Sequence, residues 1–99
     1  MKKYHKGRAF EYKVRDLLKS MGFTVFRCAA SKPVDLIALR KGVPPILVEC
    51  RSFRAPTRKR REELEQMAEK SGAVLLIAER GKLREFRQEI EALLSGRLL

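Results

Sequence analysis

Two apolar runs, Val34-Asp35-Leu36-Ile37-Ala38-Leu39 and Ile46-Leu47-Val48-Glu49-Cys50-Arg51-Ser52-Phe53, flank the segment Lys41-Gly42-Val43-Pro44-Pro45. Branched aliphatic residues bounded by Gly and Pro read as two strands joined by a turn over 41–45. A hairpin centred on Gly42 sets residues whose numbers sum to about 84 opposite one another. Asp35 then faces Glu49. Side chains alternate along a strand, so Glu49 and Arg51 share one face while Val48 and Cys50 point to the other. Asp35 and Glu49 are the only acids between Asp16 and Glu62, and both lie in apolar strands.

Outward from this pair, Phe10, Val14, Leu17, Leu18 and Met21 recur at helical spacing and predict a helix over 7–21, stopped by Gly22. Phe23 to Cys28 is rich in β-branched and aromatic residues and reads as a strand, followed by a loop over 29–33. Pro56-Thr57 opens a second helix that runs to Ser71, with Gly72 as its stop. Ala73 to Glu79 is an apolar strand, and Arg80-Gly81 turns the chain. Lys82 to Phe86 reads as a last short strand before a helix through Ile90, Leu93 and Leu94 that ends at Gly96. This order predicts an α/β domain with helices packed on a mixed sheet.

The 99 residues are one domain's worth, 1–99, enough for a single core and not for two. The longest apolar run, Ala73 to Ala78, is too short to span a bilayer. The basic start, Met1 to Lys6, is not followed by the apolar stretch of a secretory signal. Cys28 and Cys50 form no CxxC or Cys/His cluster, which argues against zinc or a disulfide scaffold and for a reducing cytoplasm. The net charge is +11 and is unevenly spread. Residues 1–61 hold 17 Lys/Arg and four acids, a net of +13, while residues 62–99 hold six and eight, a net of −2. A basic region of this kind is the footprint of a polyanion binder. No helix pairs a wholly basic face with bulky aromatics, so nucleic acid is expected in preference to a membrane surface.

Two carboxylates placed together repel and are costly to bury without a positive partner. Asp35 and Glu49 therefore have two readings. One is a structural ion-pair cluster with Arg51 and Arg27. The other is a site for a hard divalent cation such as Mg2+, held by two carboxylates, a strand carbonyl and water. Glu11 lies about 100° round the first helix from Phe10, at the border of the apolar stripe. It can reach the sheet edge, or pair with Arg15 at i+4 as an ordinary solvated residue. Arg54, Arg58, Lys59, Arg60 and Arg61 form the densest basic run. A solvated helix face is the usual reason for such a run, but cations at a helix N-terminus oppose its dipole. Phosphate contact explains the placement, because helix N-terminal amides and Arg side chains both bind phosphate.

Several ordered motifs point the same way. Lys6-Gly7-Arg8 precedes Glu11; Gly22-Phe23 precedes Val25 and Arg27. Ser31-Lys32-Pro33-Val34-Asp35 and Val48-Glu49-Cys50-Arg51 follow at matching gaps. Together, over 6–79, they resemble the archaeal-type Holliday junction resolvases of the PD-(D/E)XK nuclease superfamily. The resemblance implies a restriction-endonuclease-like mixed sheet of about five strands flanked by helices. It also implies a homodimer that nicks a four-way DNA junction symmetrically with Mg2+, for which Mn2+ can substitute. Asp35 and Glu49 look like the metal ligands, Glu11 like an additional carboxylate, and Ser31 like the serine of the loop before the Asp. Arg27 resembles the arginine that contacts the phosphate backbone, with Lys6, Arg8, Lys32 and the 54–61 run as further DNA contacts. Two positions depart from the pattern. Arg51 stands where the family has a lysine, and Arg stays charged, so it cannot act as a base. Tyr12 stands where an arginine usually follows the helical Glu, leaving that role to Arg8 or Arg15. A non-catalytic or weakly active DNA-binding module, and a nuclease for other branched DNA such as flaps or for ordinary duplex, are the alternatives these residues leave open.

Overall fold

The computed structural model describes residues 2–28, 34–51 and 56–96, with the backbone alone for 2–7. Helix α1 (Lys2–Ser20) is followed by β1 (Thr24–Arg27), β2 (Leu36–Arg40) and β3 (Val43–Arg51). Helix α2 (Arg58–Lys70), strand β4 (Val74–Glu79) and helix α3 (Leu83–Leu94) follow. The helix predicted over 7–21 begins earlier, at Lys2, and ends one residue sooner. Gly22, at φ +91°, ends it in a left-handed conformation that other residues adopt only with strain.

Among the described residues the sheet has four strands, in the order β1-β2-β3-β4. The first three pair antiparallel, and β3 pairs parallel with β4 through the α2 crossover. Leu36↔Val48, Ile37↔Leu47 and Ala38↔Ile46 all obey the predicted sum of 84. Alternation on these strands builds two layers. Leu36, Ala38, Ile46, Val48, Leu76 and Ala78 pack with Phe10, Val14 and Leu18 of α1 and Phe86, Ile90 and Leu93 of α3. Val34 and Leu47 pack on the other face against Leu64 and Ala68 of α2.

Two expectations fail. The fifth strand over Lys82–Phe86 does not form, because Leu83 opens α3 after Gly81 turns at φ +85°. Phe86, Ile90 and Leu93 are all buried, and their spacing of four and three is the helical one. Pro44 and Pro45 lie inside β3 rather than in the turn. Proline lacks the N–H a ladder needs, yet none is needed here. The β2 register shifts between Ala38 and Arg40, and pairing with β4 begins only at Ile46.

Candidate active site

Strand alternation puts Glu49 on the α2 face of β3, two residues beyond Leu47. It is 4% exposed, the one buried charged side chain among the described residues. A buried carboxylate persists only when paired. Arg51, next on the same face, donates from Nη2 to Glu49 Oε2 at 2.7 Å. Arg60 Nη2, reaching across from α2, lies 3.7 Å from the same oxygen. Asp35 lies one residue before β2. Its N–H donates to the Val48 carbonyl at 3.1 Å, and its own carbonyl accepts the Cys28 N–H at 3.0 Å. Held from both sides, its Oδ2 accepts the Cys50 N–H at 2.7 Å. The Asp35 carboxylate thus sits on the Glu49–Cys50 peptide. Asp35 reaches the β3 backbone beside Glu49, and Glu49 pairs with Arg51.

Glu11 goes elsewhere. Its Oε1 accepts from Arg27 Nε at 2.7 Å. Arg27 shares β1's alternation with Val25, which packs toward α1, so this pair lies on the face opposite Glu49. The hydrogen bond that Arg27 donates to Glu11, with the added Coulombic attraction of Glu11 and Tyr12, raises the Arg27 pKa against partial desolvation. The Tyr12 ring accepts both Arg15 and Arg27, at 4.6 and 4.9 Å from its centroid. Arg15 pairs with Asp16 at 2.9 Å rather than with Glu11. The expected three-carboxylate set of Asp35, Glu49 and Glu11 is therefore not assembled: no group of three or more metal-ligating side chains forms among the described residues. Neither does Arg27 join Glu49, as the structural-cluster reading required.

The basic run divides by direction. Thr57 Oγ1 caps α2 by accepting the Arg60 N–H at 3.1 Å, which fixes where each following residue points. Arg58 is 92% exposed near Glu62 at 3.8 Å. Lys59 is exposed, and Arg61 faces solvent with Glu65 at 3.1 Å. Arg60 alone of the four turns inward. Its partnership with Glu49 had no signal in the sequence, whereas the Tyr12–Arg15 contact follows i,i+3 helical spacing. Arg8 is exposed on α1. Ser31, Lys32, Arg54 and the Lys6 side chain lie outside the described residues. An open groove of about 570 Å3 between α2, β4 and α3 is lined by Glu65, Glu69, Glu79 and Glu89, with Arg61 the single cation among the described residues that line it.

The donor set suits a hard cation. Mg2+ is ordinarily held by one or two carboxylates, with water and substrate phosphate completing the shell. Asp35 and Glu49 supply two such groups on adjoining backbone, and a third protein carboxylate is not required. No helix among the described residues is long and apolar enough to cross a membrane.

The chain is similar to known proteins over this whole region. The "Crossover junction endodeoxyribonuclease Hjc" of Methanocaldococcus jannaschii is 50% identical over 50 residues, which are 50% of this chain and 37% of that protein. The chain thus matches little more than a third of that curated relative's length. The solved structure of Archaeoglobus fulgidus Hjc, described as a Holliday junction resolvase from an archaeal hyperthermophile, superposes with a TM-score of 0.64 at 24% identity. That match covers 76% of this chain and 64% of the other, and it establishes the mixed α/β fold. The family model for the archaeal Holliday junction resolvase matches residues 2–94. With residues 2–94 matched, nearly the whole chain, this protein belongs to the archaeal Holliday junction resolvase (Hjc) family.

Proposed function

We propose that the protein is a Mg2+-dependent, structure-selective endonuclease that resolves four-way DNA junctions by paired nicks. The observation that carries this reading is the Asp35 carboxylate seated on the Glu49–Cys50 peptide, 2.7 Å from the Cys50 nitrogen, in a chain of this family. Asp35 and Glu49 are the residues that would hold the ion. When bound, it would polarise the scissile phosphate and lower the pKa of the attacking water. The rest falls to the chain. Arg51 orients Glu49 and offers positive charge where the transition state becomes more negative. Arg58, Lys59 and Arg61, on the exposed side of α2, hold the phosphate backbone with the α2 amides. Arg27, steadied by Glu11 and Tyr12, offers a guanidinium on the opposite face to a second stretch of backbone. Ser31 remains a proposed catalytic-site residue on the strength of the family resemblance, and Lys6, Arg8, Lys32 and Arg54 remain proposed DNA contacts.

Paired nicks need two active sites, and one chain has one Asp35–Glu49 pair, so the working unit in this reading is a homodimer. Leu64, Ala68, Ile90 and Leu93 are buried within the chain and do not supply its interface. A monomer mass by light scattering, with and without junction DNA, counts against the paired mechanism.

Labelled four-way junction beside linear duplex, with and without Mg2+, is the direct test of activity. Asp35→Asn and Glu49→Gln should abolish cleavage while leaving junction binding intact or tighter, since each removes a ligand and a charge that repels phosphate. Cleavage at the wild-type rate by either variant overturns the site. A second reading, a DNA-binding module without turnover, draws on Arg51 standing where a lysine is usual. Binding without cleavage by the wild type would select it.

A further inference from the structure

We propose that Arg60 competes with a divalent cation for Glu49 and, once displaced, takes a DNA phosphate, so that metal and DNA binding reinforce each other. This rests on the metal-site reading above and adds a coupling residue to it.

The first turn of α2 is an unfavourable place for cations. Position three after the Thr57 cap is where an acidic side chain would reciprocate the cap and suit the helix dipole. Arg60 stands there instead. Among its neighbours in that turn, Arg58 is 92% exposed and Arg61 58% exposed at the side chain, whereas Arg60 is 35% exposed. On its inward side it meets Glu49 Oε2, at 3.7 Å. The same oxygen already receives Arg51 at 2.7 Å, so one carboxylate attracts two guanidinium groups.

A divalent cation on the Asp35–Glu49 pair changes that balance. Two positive charges added beside Glu49 repel both arginines, and the Arg60 contact with Glu49 at 3.7 Å is weaker than the Arg51 hydrogen bond at 2.7 Å. Arg60 also has somewhere to go. It lies in the same helical turn as the outward-facing Arg58, Lys59 and Arg61, where a DNA phosphate would meet the helix amides. Released from Glu49, it becomes a further phosphate contact. By linkage, the factor by which the cation tightens DNA equals the factor by which DNA tightens the cation.

The test uses the full chain. Titration calorimetry with Mg2+ alone, without DNA, compares wild type, Arg60→Gln, Arg60→Lys and Arg58→Gln. Arg60→Gln should bind Mg2+ about threefold to fivefold tighter than wild type, the scale of a partly exposed ion pair. Arg60→Lys, which keeps the charge on a shorter and more hydrated head group, should fall between, and answers the question if the Gln variant is poorly folded. Arg58→Gln loses the same formal charge away from Glu49 and should leave Mg2+ affinity unchanged. Junction binding is then measured with and without Ca2+. Wild type should gain affinity from the ion, and Arg60→Gln should lose most of that gain. Unchanged or weaker Mg2+ binding by Arg60→Gln overturns the proposal, as does equal tightening by Arg58→Gln, which would mark a net-charge effect. If the wild type binds Mg2+ and cuts while Arg60→Gln matches its Mg2+ affinity, only the coupling falls. If the wild type binds no Mg2+, the metal-site reading falls with it.

Discussion

Replacing Arg51 by Met asks what the charge on Glu49 costs when its nearest cation is gone. Glu49 is 4% exposed, and Arg51 Nη2 lies 2.7 Å from its Oε2. Met keeps an unbranched stem of similar bulk and removes the guanidinium. Stripping one partner from a fully buried pair costs about 3–5 kcal/mol, because the other charge is left in a poor solvent. Two features reduce that here. Arg51 is itself 30% exposed, and Arg60 at 3.7 Å continues to compensate Glu49. The expected loss is therefore about 2 kcal/mol. For a domain of this size that lowers Tm by roughly 8–16 °C. The chain has no Trp, so urea unfolding followed by far-UV circular dichroism is the suitable assay. The double variant Arg51→Met with Glu49→Gln supplies the control. An uncharged amide does not need the missing cation, so the pair should regain most of the loss and lie within about 1 kcal/mol of wild type. A single-variant loss below about 0.5 kcal/mol, or a double variant as unstable as the two singles added, would refute the view that Arg51 neutralises a buried charge.

Arg51→Lys should change single-turnover junction cleavage by less than about tenfold, ~1.4 kcal/mol of barrier, if the residue acts as a charge. An increase of ~10²-fold or more would mean that proton transfer by a lysine is what the site lacks. Alanine at Arg58, Lys59 and Arg61 should weaken junction binding and flatten its dependence on salt, since each lost phosphate contact releases fewer counterions. An unchanged slope removes α2 from the DNA surface. Glu89 has its pKa raised by desolvation, with Arg61 opposing the shift. Its folded state therefore holds a proton longer than the unfolded chain does, and stability falls as pH rises from the ordinary Glu range through the raised value. Glu89→Gln should flatten that part of the stability–pH curve in chemical denaturation, and an unaltered curve would place the dependence elsewhere.

Much of the site was legible from short-range pattern. The period of two along Leu36–Ala38 and Ile46–Val48, with Gly42 between them, was enough to pair Asp35 with the Glu49 region in the observed register. The spacing of Phe10, Val14 and Leu18 was enough for α1. The same local reasoning misplaced Lys82–Phe86, because a five-residue stretch cannot distinguish periods of two and 3.6 without the residues that follow. It also expelled Pro44 and Pro45 from β3, because the register shift that excuses them is a property of two paired strands.

What the sequence determined by itself was which residues lie within a hairpin's reach of one another: Asp35, Glu49 and Arg51. A turn and a pleat set those neighbours, and both are local. Only the tertiary structure decided which arginines meet which acids. Arg60 reaches Glu49 because Leu64 and Ala68 dock α2 on Val34 and Leu47, which sets the rotation of its first turn. Arg27 meets Glu11 because α1 packs on the other face. A long charged side chain takes whatever opposite charge the packing of its backbone leaves in range, and that packing is decided by apolar contacts between segments far apart in sequence.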